Sequence, residues 1–417
     1  MIQTVFNMSC GQTELVESAK RSLGSDVITI YSPPFWEMEE EVLALLQKFL
    51  YTSNDVVIVF GTGTSGIEAS LNSILEPDDK FIIAHNGMFG EIMSLMTRAA
   101  GAIPVAVPFK LGTPINAEAI DAALDDNPDV KGIGVIHGET SVGVANPLRE
   151  IGEIARKRGL LYVVDAVSSF ASERLLVDEW NIDLCVVNGQ KCLGAPQGNS
   201  FVSVSERAWE RIKARKEKIR GFYMNLLACK DYLDMARTEQ QNWSAGGNKY
   251  DFDLQEAPHP ASPSFVIIKG MWAAMKQLEQ EGIEASIARH ETAGMAVRAG
   301  VKAMGLHYIC RDDDYADNAV TAVLLPKSIE DYGIRRHLFE QYGVIFGDAN
   351  MMSWDVYKKQ IGCNYVRFGT MGEAARYNKI LYSVFALGMT LRDMGEEANV
   401  EAAITAVREV YCKEARR

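Results

Sequence analysis

Asp165 and Lys191 are the two residues whose types and setting could do chemistry together. Each ends a short β-branched run: Leu160-Leu161-Tyr162-Val163-Val164-Asp165 and Val186-Val187-Asn188-Gly189-Gln190-Lys191. In an open parallel sheet, ligands bind outside the carboxyl ends of the strands, so the two side chains are expected to share one crevice. A lysine amine forms a Schiff base with an aldehyde, and a carboxylate holds a pyridine nitrogen in its protonated form. Pyridoxal 5′-phosphate requires that pairing. Taken singly, bland readings stay open. Most lysines are solvated, and an aspartate here could cap the next helix. The neighbours of Lys191 argue for enclosure: Gly189, Cys192-Leu193-Gly194 and Ala195-Pro196 stand where a surface helix would carry charges. Desolvation in such a pocket lowers a lysine's pKa.

Alternating strands and helices must bring this pair together. The run Asp55-Val56-Val57-Ile58-Val59-Phe60 leads straight into Gly61-Thr62-Gly63-Thr64-Ser65-Gly66, and a helical stripe follows at Ile67, Leu71, Ile74 and Leu75. Backbone N–H groups at a helix N-terminus, with hydroxyls beside them, suit a phosphate. A Gly/Thr-rich turn alone is as often a plain connector. Strands are expected at 81–84, 105–107, 132–137 and 200–204, with helices at 117–124 and 148–157. Such alternation implies βαβ crossovers and a mostly parallel, doubly wound sheet. Residues 221–265 are turn-rich and read as a long loop. A helix over 265–304, broken near Gly282, leads to strands at 319–324, 344–346 and 365–368 and a helix at 374–393. The expected organisation is an N-terminal arm (1–30), a large α/β domain (31–300) and a smaller α+β C-terminal domain (301–417).

With 417 residues, 47% of them hydrophobic, the chain can build both cores. A net charge of −13 gives no footing for nucleic acid or anionic membrane. No apolar run approaches the about 18 residues of a membrane span, and the first residues lack a signal-peptide pattern. Seven cysteines without a C-x-x-C pair read as reduced thiols. A cytoplasmic location is the expectation, and no metal site is expected.

Val163-Val164-Asp165-Ala166-Val167-Ser168-Ser169 and Gly189-Gln190-Lys191-Cys192-Leu193-Gly194-Ala195-Pro196 resemble class V aminotransferases of the alanine–glyoxylate type. The likeness runs from about residue 30 to 390. Serine–glyoxylate, ureidoglycine–glyoxylate and pyridoxamine–pyruvate aminotransferases are neighbouring subfamilies. The resemblance implies the fold type I architecture, a homodimer with its active site at the subunit interface, and ping-pong transfer from an amino acid to glyoxylate or pyruvate. It makes Lys191 the Schiff-base lysine and Asp165 the partner of the ring nitrogen.

The same resemblance implies the remaining site. Thr62, Gly63, Thr64 and Gln190 would hold the cofactor phosphate. Val167 would press on one ring face and Phe89 stack on the other, although a phenylalanine alone is more often core. Thr140, in His137-Gly138-Glu139-Thr140-Ser141, would bond the phenolic oxygen; alone it could serve only a local turn. His259 and Ser262 would reach the partner's phosphate, but relatives commonly carry tyrosine at the first position, and a solvated loop histidine fits equally. Arg367 would grip the substrate carboxylate bidentately, with Tyr31 also at the substrate. Cys10-Gly11-Gln12 and Gly347-Asp348-Ala349-Asn350 depart from the family pattern and point to an unusual amino donor.

Other readings are a vitamin-processing pyridoxamine–pyruvate enzyme, a ureidoglycine–glyoxylate enzyme, a lyase or desulfurase using Cys363, and a non-catalytic cofactor-binding regulator. Against the first, the position expected to be acidic is the neutral Thr62. Against the desulfurase stands Phe89, where those enzymes tend to stack histidine. Against the regulator stand the acidic balance and an N-terminal stretch too short for a DNA-binding module. Borohydride reduction should place a vitamin B6 tag on the peptide containing Lys191, read by mass spectrometry. A tag on another peptide would remove the basis of the reading.

Overall fold

β-Branched runs become strands wherever both faces can be covered. The structure, a computed structural model, describes residues 5–26, 28–30, 32–245, 263–349 and 359–414. In chain order the strands are Phe6–Met8 (β1), Asp55–Phe60 (β2), Lys80–His85 (β3), Ile103–Pro108 (β4), Gly132–Ile136 (β5), Gly138–Glu139 (β6), Val144–Ala145 (β7), Leu161–Asp165 (β8), Leu184–Asn188 (β9), Asn199–Val204 (β10), Val320–Leu324 (β11), Val344–Phe346 (β12) and Tyr365–Gly369 (β13). Seven of them form the central sheet, ordered β2-β10-β9-β8-β5-β3-β4. Only β10 runs against its neighbours. This is the mostly parallel α/β sheet expected from the alternation. Strands β5, β8, β9 and β10 are buried along their whole length, as continuous apolar runs require in a sheet covered on both faces. The edge strand β4 is partly exposed and carries Pro104 and Pro108, which an edge tolerates because it lacks a partner for those missing N–H groups.

The register sets the site. Ile136 pairs with Asp165, Asp165 with Val186, and Ser200 with Asn188. The carboxyl ends of β5, β8 and β9 are therefore level, and His137–Thr140, Asp165 and Gln190–Lys191 leave the sheet at one end. The helix Gly63–Ile74 follows β2 after a short turn. It lies hard against the sheet at Gly66, where a Cβ would come 2.7 Å from Val186 Cγ1 and 2.8 Å from Ser200 Oγ. That contact brings its N-terminus to the same end of the sheet.

Two stretches differ from the sequence reading. Residues 221–265 were expected to be loop, yet a helix spans Leu226–Ser244, with the Asn225 side chain accepting from the N–H groups of Leu227 and Ala228. Its buried stripe is Leu226, Cys229, Leu233 and Ala236, a helical spacing obscured by the turn signals on either side. The expected N-terminal arm is also partly ordered: β1 pairs with β12 in parallel, and Glu17–Leu23 is a helix.

The long C-terminal helix breaks where expected. Gly282, at φ 88°, separates Phe265–Glu281 from Ile283–Met304. A second apolar core joins Val297 and Val301 of the latter helix to Val366 and Phe368 of β13, and to Val384 and Leu387 of the helix Tyr377–Asp393. A further helix, Val400–Glu414, adds Ala403 and Val407 to that core. Among the described residues, no helix is long and apolar enough to cross a membrane.

His290 ties Gly372 to the helix Ile283–Met304. Fully buried, it bonds the Ser286 carbonyl through Nδ1 at 2.7 Å and accepts the Gly372 N–H at Nε2, 2.9 Å away. Both bonds suit the neutral ring, and burial pushes its pKa down from 6.5 to about 3. The unfolded ring takes its proton near 6.5, so stability should fall as pH drops from that value toward 3. Urea unfolding of the apoprotein at pH 6.5 and 4.5 should show this loss, and His290→Gln should make it shallower.

Candidate active site

At the carboxyl ends of β8 and β9 lies a cleft of about 330 Å³. Its wall includes Thr62, Gly63, Thr64 and Gln190, and its depth Phe89, Asp165, Val167 and Lys191. Eight of the residues proposed from the sequence thus share one enclosure. Thr140 and Arg367 are buried but are not among the lining residues. They touch each other: Arg367 Nη1 lies 3.5 Å from the Thr140 carbonyl. Tyr31, His259 and Ser262 lie outside the described residues. Cys363 is half-buried and does not line the cleft.

Asp165 ends β8 with its carboxylate turned back toward its own loop. The Val167 N–H donates to Asp165 Oδ1 at 2.9 Å. Burial pushes its pKa up to about 6, opposed by that bond and by the charge of Lys191. Burial lowers the pKa of Lys191, opposed chiefly by Cys10 and reinforced by the Arg367 guanidinium. The N-terminal segment fixes the lysine's loop. Lys191 Nζ donates to the Cys10 carbonyl, and Thr13 Oγ1 donates to the Lys191 carbonyl at 2.8 Å.

Gly63 opens the helix Gly63–Ile74 and is needed at the cleft floor. A Cβ there would lie 2.4 Å from Val167 Cγ2 and 3.2 Å from Asn188 Nδ2. Thr62 sits at the N-cap without a side-chain capping bond, so its hydroxyl and the first-turn N–H groups can serve an anion.

Glu139 received no role from the sequence. Wholly buried, it accepts the N–H groups of Phe89 and Gly90 at 3.1 and 3.3 Å on Oε2. On Oε1 it accepts the Ser141 N–H at 3.1 Å and hydroxyl at 2.6 Å. Burial raises its pKa to about 7, against those bonds. The sequence signal was an acid inside an otherwise neutral turn.

The donor set fits pyridoxal 5′-phosphate. Thr140 Oγ1, both amide atoms of Asn188 and Gln190 Oε1 are buried and have no hydrogen-bond partner among the described residues. Orphaned buried polar atoms are rare and point to a missing partner. Asn188 and Gln190 line the cleft beside an amine, a carboxylate and a helix N-terminus. Asn188 is an addition to the sequence reading; the polar end of the β9 run was its signal.

Comparison with known proteins points to one family. The family model for aminotransferase class-V matches residues 35–345. A pyridoxamine–pyruvate transaminase of Mesorhizobium japonicum is 28% identical, over 97% of this chain and 96% of its own. An (S)-ureidoglycine–glyoxylate transaminase of Bacillus subtilis is 29% identical, over 97% and 94%. The crystal structure of a Bacillus subtilis ureidoglycine–glyoxylate aminotransferase superposes with a TM-score of 0.87 at 27% identity, covering 99% of both chains.

Gly63→Ala should weaken cofactor binding about tenfold, since overpacking of this kind costs about 1–3 kcal/mol. Titration of the apoprotein with pyridoxal phosphate, followed by absorbance, measures this. Unchanged far-UV circular dichroism would show that the fold survives.

Proposed function

We propose a reaction for this chain, which belongs to the class-V aminotransferases: it moves an amino group from an amino acid to a small 2-oxo acid, glyoxylate or pyruvate. The observation that carries the reading is one cleft holding the Lys191 amine, the Asp165 carboxylate and the N-terminus of the helix Gly63–Ile74. The cleft's volume, about 330 Å³, lies at the small end for ligand sites.

Held by Lys191, pyridoxal 5′-phosphate would supply an electron sink for the bonding pair freed at the substrate's α carbon. Each residue then has a task. Thr62, Gly63, Thr64 and Gln190 bind the phosphate. Asp165 would pair with the ring nitrogen, and Thr140 would donate to the phenolic oxygen. Phe89 and Val167 would flank the ring. Once the substrate's amine has replaced it on the cofactor, the freed Lys191 amine would be the group that takes the proton from the substrate's α carbon and carries it onward. Its burial favours the neutral amine, which a base must be. Arg367 holds the substrate carboxylate, beside Tyr31. His259 and Ser262 complete the phosphate site of the partner in a cytoplasmic homodimer.

The neutral Thr62 hydroxyl supports a bound phosphate over free vitamin. Screening amino donors against glyoxylate and pyruvate, with pyridoxamine as one arm, tests the reading through loss of the cofactor's aldehyde absorbance. We expect turnover with a small acceptor, and Lys191→Ala should abolish both turnover and the enzyme-bound band. A wild-type protein that converts no donor, or that uses free pyridoxamine alone, would overturn it.

A further inference from the structure

Asp348 follows β12 and sits on Arg367. Arg367 Nε donates to the Asp348 carbonyl at 2.6 Å, and Nη2 lies 3.2 Å from Asp348 Oδ1. One aspartate therefore occupies the Nε–Nη2 edge of the guanidinium with two of its oxygens. The backbone locks this geometry: Gly347 and Arg367 exchange N–H···O bonds of 2.9 Å in both directions. The two side chains differ in access to water, being 7% exposed for Arg367 and 38% for Asp348.

That difference decides what can happen when a carboxylate arrives. A buried guanidinium needs an anionic partner, and Asp348 supplies one. An incoming carboxylate must replace the Asp348 carboxylate on Nη2 or lie directly against its charge. Released, Asp348 can turn to water, so the exchange leaves no buried charge unpaired. Its charge nevertheless remains close to Arg367. A substrate with one carboxylate meets it once, whereas a second carboxylate nearby faces direct like-charge repulsion.

We propose that Asp348 is a specificity-determining residue: its carboxylate is exchanged for the substrate's on Arg367, and its charge turns away dicarboxylic substrates. This rests on the reading of Arg367 as the carboxylate-binding residue. The favoured substrates are monocarboxylates, with amino donors whose side chains are neutral or hydrogen-bond-donating.

The test uses holoenzyme and the non-reacting probes acetate and succinate, titrated by calorimetry, beside KM and kcat for glyoxylate and 2-oxoglutarate. Removing the charge with Asp348→Asn should tighten acetate about fivefold, the range of a partly exposed ion pair. It should tighten succinate more, about twentyfold, because a second like charge is relieved. KM should follow these shifts more closely than kcat. Asp348→Ser serves as the second variant should the amide bond Arg367 in its own way. Arg367→Lys separates the two claims. Should Arg367→Lys leave acetate binding unchanged, the reading of Arg367 fails. Should it weaken acetate while both Asp348 variants keep the wild-type ratio of succinate to acetate binding, the present inference alone is overturned.

Discussion

The site depends on holding two opposite charges, Asp165 and Lys191, in one crevice that water largely leaves. Burial works against each charge separately. It raises the carboxylate's pKa and lowers the amine's, and each group's field partly restores the other. The pair can be kept only because β8 and β9 are adjacent, parallel and in register to their ends. A one-residue slip would turn Asp165 to the opposite face. The apolar runs that fill both strands are thus the condition for the charges beyond them.

The crevice is closed by chain that lies far away in sequence. The N-terminal segment supplies the Cys10 carbonyl to Lys191 Nζ and the Thr13 hydroxyl to its backbone. The strand just before it, β1, pairs with β12, and β12 leads directly to Asp348. The loop holding Lys191 and the segment holding Arg367 are therefore linked through one short stretch of chain. A substrate between Lys191 and Arg367 would touch both ends of that link, so changes at positions 10–13 should be felt at both.

Much of this was legible because strand ends carry their own punctuation. Val164-Asp165 and Gln190-Lys191 mark an abrupt change from apolar to polar, and Phe60-Gly61-Thr62-Gly63 marks a strand-to-helix turn. These signals are local, and the eight residues that share the cleft came from them together with the family motifs. Relations between distant segments were not legible. The pairing of Asp348 with Arg367 depends on β12 and β13 coming side by side, and the lysine's bond to Cys10 on the first residues folding back across the sheet. The helix Leu226–Ser244 was missed for a different reason: its stripe is narrow, and the sequence that follows it is rich in Gly and Pro. Glu139 stood in a quoted motif, yet its role appears only when the helix Met88–Ala99 is placed against it.

Glu139 shows how the site keeps its shape. A buried carboxylate is costly unless several donors face it. Here one oxygen takes two backbone N–H groups from the first turn of the helix Met88–Ala99, and the other takes the N–H and hydroxyl of Ser141. The helix N-terminus adds its own favourable field. Phe89, on the helix, and Thr140, in the turn, are thereby joined through one side chain lying between them. Thr140 in turn offers its carbonyl to Arg367. Phe89, Thr140 and Arg367 are thus linked through Glu139, its neighbouring backbone and the Thr140 carbonyl. Protonating Glu139, or shortening it, would loosen all three together, whereas Thr62 and Thr64 stand apart from this linkage at the N-terminus of the helix Gly63–Ile74.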